Sequence, residues 1–174
     1  MEVLPSLTTN VVSALIGRQI LGQAISDASY SIYGTLGCIF SYDTTIDDTV
    51  RSLDIKERIK TVDSLIKHID EYNDTITTCL TGLHEIIILI REDLKQINFI
   101  IQQHKKKYMS NWRHLDCRKQ IKSLRINSKL LDTRLDFLIK ALEVIRYNSD
   151  MTKKQTNIKI KHKSIKELDA KKID

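Results

Sequence analysis

The sequence predicts an all-α protein: an antiparallel bundle of four or five helices, built around a long coiled-coil-like hairpin and followed by a basic C-terminal tail. Only five glycines and one proline occur among 174 residues, too few for the many corners of a sandwich, a barrel or a parallel sheet. Apolar residues make up 41% of the chain, and they recur every three or four residues. That spacing is typical of helices that bury one face.

The first predicted helix covers residues 8–42, where Arg18 and Asp27 are the only charges after residue 2 and four of the five glycines lie. Its apolar and small residues recur every fourth position from Val12 to Phe40. Such a row drifts around a helix by about 40° per step. The helix is therefore expected either to be buried nearly all round or to break near Gly34 and Gly37. Its small residues suit a central bundle helix or, alternatively, conditional membrane insertion.

The second and third helices are predicted at about 45–72 and 75–108. Asp54 and Glu57 have the spacing of a capping box, and a regular apolar series starts at Ile55. Because that series continues past Asn73 without a skip, one unbroken helix over 55–108 is an alternative. We favour a hairpin at 72–75, since Asn, Asp and Thr side chains compete with the helical backbone and can cap a new helix.

The fourth helix is predicted at 117–147, after a possible cap at Asp116, because a second heptad series runs from Cys117 to Ile145. Two such stripes bury each other best as an antiparallel pair. We therefore expect a bundle over residues 1–147 and a Lys-rich, partly disordered tail over 148–174. The residues expected to be nearly fully buried are Leu83, Ile90, Ile97, Leu131, Leu135 and Leu138.

Composition limits the classes of function. The formal net charge of +6 favours anionic partners. Three widely spaced cysteines indicate neither a disulfide framework nor a metal site, which fits an intracellular, cytoplasmic protein. Phosphate-loop, nucleophile-elbow and dinucleotide motifs are absent from the sequence, and no two histidines are four residues apart. We therefore expect no enzymatic activity, cofactor, metal or small-molecule substrate.

The candidate binding site is a basic cluster within residues 104–125, where eight Lys and Arg face one acid, Asp116. If the hairpin is right, these side chains gather at one end of the bundle. They could attract lipid headgroups or nucleic acid, with aromatic contacts from Tyr108 and Trp112, or be an ordinary solvated surface. The predicted anion-binding residues are Lys105, Lys106, Lys107, Arg113, Arg118, Lys119, Lys122 and Arg125.

An apolar N-terminal helix, a helix pair and a basic aromatic turn follow one another in this order. The turn consists of Lys105-Lys106-Lys107-Tyr108 and Trp112-Arg113, and Leu130-Leu131-Asp132-Thr133-Arg134-Leu135-Asp136 follows it. This order resembles the N-terminal four-helix bundles of the HeLo and mixed-lineage-kinase-like cell-death proteins, over about residues 10–146. The resemblance implies a non-enzymatic module that self-associates, binds acidic phospholipids through basic residues and perturbs membranes with its N-terminal region.

The expected function is therefore that of an interaction module, with itself or another protein as partner and with acidic phospholipid as a further one. Such a protein would be intracellular and membrane-associated. The alternative is a structural protein of a viral or other particle, or a nucleic-acid-associated factor that binds phosphates through the same basic end and tail.

Overall fold

The computed structural model describes the backbone of residues 6–42, 45–69, 73–106 and 115–170, and the side chains of 19–42, 46–69, 73–106 and 115–154. The described ranges contain helices and turns but no strand, which confirms the all-α prediction. The chain divides into two compact units, residues 1–137 and 138–174. The helices are α1 (Ser6–Phe40), α2 (Thr45–Arg51), α3 (Ile55–Lys67), α4 (Asp74–Lys105) and α5 (Arg118–Ala170).

The first unit is a helical bundle in which α1 packs against both α3 and α4. Gly22 of α1 lies opposite Ile66 of α3, and Leu36 and Ile55 line the same cavity, so α1 and α3 run antiparallel. Tyr42, just after α1, contacts Lys105 at the end of α4, so these two helices run parallel. Helices α1, α3 and α4 therefore alternate in direction along the chain.

The part of α5 within the first unit is attached to α3 and α4 by polar side chains. The Asn127 amide donates to the Asp93 carboxylate at 2.7 Å, and Arg134 forms an ion pair with Glu85 at 3.1 Å. Residue numbers rise on α5 as they fall on α4, so these helices form the predicted antiparallel pair. The Arg58 guanidinium of α3 donates to Ser128 and Asp132 in the same stretch of α5.

Helix α1 is continuous from Ser6 to Phe40, and one of its faces is buried over residues 19–40, where its side chains are described. Neither predicted alternative holds in the described residues: the helix does not break at Gly34 or Gly37, and both glycines are exposed. The buried residues step by three and four positions, as one helical face requires; they are Ile25, Ala28, Ser29, Ile32, Leu36 and Ile39. Among the helices of the described residues, none combines the length and apolar character that a membrane crossing needs.

The region predicted as one helix over 45–72 is divided into α2 and α3 by a turn at 52–54. Asp54 has φ 51° and ψ 30°, a left-handed backbone, and its side chain makes no capping hydrogen bond. The predicted capping box is therefore wrong. Capping side chains act from an extended backbone, whereas Asp54 contributes only its carbonyl oxygen, which accepts from the Arg58 N–H at 3.2 Å.

Helices α3 and α4 are separate, as the favoured alternative predicted. Helix α3 ends at Lys67, and α4 begins after Asn73, whose side-chain oxygen accepts from the Ile76 N–H at 2.9 Å. This is the cap that the polar run at the predicted turn indicated. Residue 72 of that turn lies outside the described ranges.

Five of the six predicted core residues are buried, and Leu135 is only half-buried. The buried row of α5 begins with Cys117, Leu124 and Leu131. A row with seven-residue spacing drifts around a straight helix by about 20° per step, and this drift carries the row away from Leu135.

The second unit consists of α5 from Leu138 onward, and its helical backbone extends to Ala170. Leu138 is buried, whereas Val144, Tyr147 and Met151 are exposed. The division into a bundle ending at 147 and a partly disordered tail remains a prediction, although the backbone of 148–170 is helical.

Candidate anion-binding site

The predicted basic residues that the structure describes lie at two helix ends. Lys105 and Lys106 are at the C-terminus of α4, where cations complement the partial negative charge of the helix end. Four more lie in the first turns of α5, and all six are exposed; these four are Arg118, Lys119, Lys122 and Arg125. The remaining predicted residues, Lys107, Tyr108, Trp112 and Arg113, lie outside the described ranges.

The antiparallel pairing of α4 and α5 brings these cations to one end of the first unit. The ion pair of Glu85 with Arg134 and the hydrogen bond of Asp93 with Asn127 fix the pairing. These contacts precede the cations on α4 and follow them on α5. The last turn of α4 and the first turn of α5 therefore lie at the same end of the bundle. We call this cluster of Lys105, Lys106, Arg118, Lys119, Lys122 and Arg125 the basic end.

Two cation–π contacts near the C-terminus of α1 were not among the predicted contacts, and one of them includes Lys105 of the basic end. The Lys105 Nζ atom lies 3.9 Å from the centre of the Tyr42 ring, and the Arg51 guanidinium lies 3.9 Å from that of Phe40. Each such cation–π contact contributes about 0.5–1 kcal/mol when exposed. Phe40 is the last residue of α1 and Tyr42 follows it, so both rings are far in sequence from residues 104–125. No local pattern could therefore have indicated them.

Carboxylates neutralise little of the basic end. Asp116 accepts from the Arg118 N–H at 3.2 Å, which confirms its predicted capping contact, and its carboxylate lies 3.8 Å from the Arg118 Nε atom. Exposed pairs of this kind contribute about 0–1 kcal/mol. Within the described ranges, no ion pair includes Lys106, Lys119, Lys122 or Arg125. All four of these side chains are exposed.

Beyond the basic end, a set of exposed apolar residues lies on the side of α5 opposite its buried row. The exposed fractions are 52% for Ile126, 41% for Leu130 and 60% for Phe137. The sequence pattern of α5 contains this second stripe at intervals of four and seven residues, beside the inner heptad. Periodicity alone does not tell which of two apolar stripes faces the core.

The remaining reactive groups do not converge on a chemical site. Cys38 is exposed, Cys79 is half-buried, and burial together with the nearby Asp116 carboxylate raises the pKa of Cys117 to about 11. Cys117 is therefore a protonated thiol at neutral pH. No group of three or more His, Cys, Asp or Glu side chains in the described part of the chain could hold a metal ion.

A cavity of about 220 Å³ lies where α1, α2 and α3 meet. Its floor is apolar, with Leu36, Phe40, Val50 and Ile55, and its rim carries both signs of charge, including Asp54 and Lys56. The rim cation Arg51 is already engaged, since it lies over Phe40 and pairs with Asp47 at 3.1 Å. The cavity therefore presents no free set of like charges to a ligand.

Comparison with known proteins gives one viral relative. No family model matches the chain, and no solved structure matches it. The chain is similar to the "Uncharacterized protein L717" of Acanthamoeba polyphaga mimivirus, with 25% identity over 182 aligned positions that cover 87% of this chain and 85% of that protein. The similarity therefore extends over most of both chains.

Proposed function

We propose that this chain is a non-enzymatic helical-bundle module that self-associates and engages acidic membranes through its basic end. The observation that carries this function is the cluster of exposed cations at the junction of α4 and α5. Four of its members, Lys106, Lys119, Lys122 and Arg125, take part in no ion pair of the described ranges. The proposed location is the cytoplasm, at the surface of a membrane.

The physical basis of membrane engagement is electrostatic attraction to anionic headgroups. Each Lys or Arg near an anionic leaflet contributes about 1 kcal/mol, and the attraction falls off within a Debye length. Six exposed cations at one end of the first unit therefore suffice for reversible attachment to a vesicle that contains phosphatidylserine. The HeLo-like order of the sequence agrees with such a module.

Self-association is proposed through apolar residues that the second unit leaves exposed. Val144, Tyr147 and Met151 are 59%, 64% and 41% exposed, and they recur at intervals of three and four residues on a helix that forms this unit alone. An isolated helix gains most of its stability from packing an apolar face. A second copy of the chain is the partner proposed for this face.

The test of membrane engagement is co-sedimentation of the purified chain with vesicles of phosphatidylcholine alone and of phosphatidylcholine mixed with phosphatidylserine. We expect binding only to the mixed vesicles and a steep loss of binding as salt is raised. Replacing Lys119 and Lys122 with Glu should abolish it without changing the thermal midpoint, since both side chains are exposed. A matched control replaces Lys56 and Lys60 of α3 with Glu and should leave vesicle binding in place. Equal binding to both vesicle types would contradict the function.

Self-association is tested separately by measuring the molar mass in solution by light scattering. We expect a mass above that of one chain, and we expect Val144→Ser together with Met151→Ser to return the protein to a monomer. A monomer in the unmutated protein, with and without vesicles, would contradict this part of the function.

The exposed cations of the basic end also support a second candidate, a structural protein of a viral or other particle or a factor that binds nucleic acid. The same exposed cations would then bind the phosphates of nucleic acid, and binding would fall linearly with the logarithm of salt concentration. A gel-shift measurement with duplex and single-stranded DNA at two salt concentrations decides between the candidates. Tight DNA binding without vesicle binding would favour this one.

A further inference from the structure

The outer face of α5 in the first unit combines exposed apolar side chains with exposed cations. Ile126, Leu130 and Phe137 are 41–60% exposed, and they fall within about 40° of one another around the helix at 100° per residue. The same side of the helix carries one exposed carboxylate, Asp136, and four exposed cations; these cations are Lys119, Lys122, Arg125 and Lys129. We call the three apolar residues and the four cations the outer face.

One exposed apolar residue of α4, Leu89, lies beside the outer face. The two polar contacts between the helices join Glu85 to Arg134 and Asp93 to Asn127. Leu89 lies midway between Glu85 and Asp93, so it is level with Leu130, and its side chain is 48% exposed. An additional exposed apolar side chain therefore borders the stripe on the side toward α4.

From this arrangement we infer that the outer face docks on an anionic lipid surface and inserts Ile126, Leu130 and Phe137 among the acyl chains. This inference rests on the proposed function and assigns the contact surface. It places the inserting side chains on α5, whereas the resemblance to HeLo-like bundles implies an inserting N-terminal region.

Charge complementarity selects a lipid surface over a second copy of the same face. A contact between two outer faces would gather the eight cations of both copies in one interface, with two Asp136 carboxylates beside them, and such an excess of like charges at short range is destabilising. Lys119 also lies one heptad before Ile126, on the same line of the helix. A dry protein interface would strip water from its ammonium group at a high cost.

A bilayer surface accepts both kinds of side chain at once. Lysine and arginine can lay their methylene chains along apolar surface while the charged groups remain among phosphates. A helix with an apolar stripe and flanking cations lies in this way in the plane of a membrane, with its apolar side at the boundary between headgroups and acyl chains. Nucleic acid would use the cations but would leave Ile126 and Phe137 in water.

The experiment compares an Ile126→Ser and Phe137→Ser double variant with a matched control, Phe99→Ser, on the full chain. Phe99 lies on α4, outside the outer face, and is similarly exposed at 57%. With vesicles of phosphatidylcholine and phosphatidylserine, at a fixed salt concentration at which the unmutated chain binds, we expect the double variant to bind about 10-fold to 100-fold more weakly than the unmutated chain. The control should bind as the unmutated chain does.

A second measurement reads insertion directly and does not depend on a loss of function. In a Trp112→Phe background, Phe137→Trp should shift its fluorescence to the blue on mixed vesicles and should be quenched by brominated acyl chains. The same probe at position 99 should show neither change. An unshifted signal at position 137 on vesicles that the protein binds would overturn the inference.

The outcomes separate the inference from the proposed function. If the unmutated chain does not bind mixed vesicles, the proposed function fails. If it binds them and the double variant binds equally well, only the inference fails. The inference is also overturned if the double variant loses DNA binding in parallel, or if its substitutions convert a dimer to a monomer, because the outer face would then contact nucleic acid or a second copy.

Discussion

The contact between α1 and α4 differs in chemistry from the attachment of α5 to the rest of the first unit. Helix α4 has nine buried residues, all of them Ile or Leu. The buried face of α1 over residues 19–40 is apolar apart from Ser29, which bonds to its own helix at Ile25. In α5, by contrast, Asn127 and Ser128 are buried beside Leu124 and Leu131, and both bond to side chains of other helices.

The apolar contacts account for the stability of the bundle, whereas the polar contacts determine how the helices are aligned along one another. Apolar contacts are favourable but not directional, so the α1 and α4 faces stabilise the bundle without fixing one sliding position. A buried amide or hydroxyl must meet its partner or pay the cost of an unsatisfied polar group. The polar contacts of α5 therefore fix which residues of α3 and α4 it lies beside, and the outer face is oriented as a consequence.

The largest expected effect is that of deleting apolar volume at the contact that buries one face of α4. Leu94 is fully buried, and Leu94→Ala should lower the free energy of unfolding by about 2–5 kcal/mol, through lost burial and the cavity that remains. Urea denaturation measures this change. Leu89→Ala, at a half-exposed position of the same helix, should cost less than about 1 kcal/mol. Equal costs at the two positions would contradict an apolar core centred on this contact.

An intermediate effect is expected for the polar attachment of α5. The Arg58 guanidinium donates to the Ser128 hydroxyl at 2.9 Å, to the Ser128 carbonyl at 3.2 Å and to the Asp132 carboxylate at 2.6 Å. Arg58→Ala removes all three bonds and leaves buried Ser128 without this partner. We expect a loss of about 1–3 kcal/mol.

Hydrogen exchange can localise that loss. Amide protection should fall in α5 more than in α1 and α4, because the latter pair keeps its apolar contact. Asp132→Ala, which removes only the partly exposed partner, should cost less than about 1 kcal/mol. A uniform loss of protection in all helices after Arg58→Ala would show that α5 is not a separately attached element.

The smallest effects are expected when glycines are replaced with alanine. The added Cβ atom disturbs a neighbouring side chain on α4 but not on α1. A Cβ atom at Gly34 or Gly37 would meet nothing within 4 Å on the free side of α1. Since alanine is favoured over glycine in a helix by about 0.8–1 kcal/mol, Gly34→Ala and Gly37→Ala should each raise the unfolding free energy by up to about 1 kcal/mol. Thermal and urea denaturation measure the gain.

Gly82→Ala is the matched comparison on α4. A Cβ atom there would overlap the Arg134 guanidinium, which pairs with Glu85. That side chain is flexible at its end and can move, but its ion pair would be disturbed. We expect the helix-propensity gain to be largely offset, so that Gly82→Ala raises stability less than Gly34→Ala. A larger gain at Gly82 would show that the Arg134 contact contributes nothing.

Local sequence patterns predicted the helices more completely than the site. The spacing of apolar residues and the polar run at 72–75 were enough to predict α4 and its cap at Asn73. The break at Asp54 was not predictable, because one left-handed residue leaves the apolar spacing unchanged. The contact of Tyr42 with Lys105 was also hidden, since it joins residues more than sixty positions apart. The outer face was visible as a stripe, but its exposure depends on where α3 and α4 lie.

The left-handed backbone at Asp54 also determines which amino acids this position can accept during divergence. Residues with short polar side chains, Asn and Asp, and glycine adopt positive φ at low cost, whereas β-branched residues do so only under strain. Buried Ile and Leu can exchange with one another at little cost. In distant relatives the corner between α2 and α3 should therefore be marked by a position confined to Asp, Asn or Gly, even where the flanking apolar residues have all been replaced.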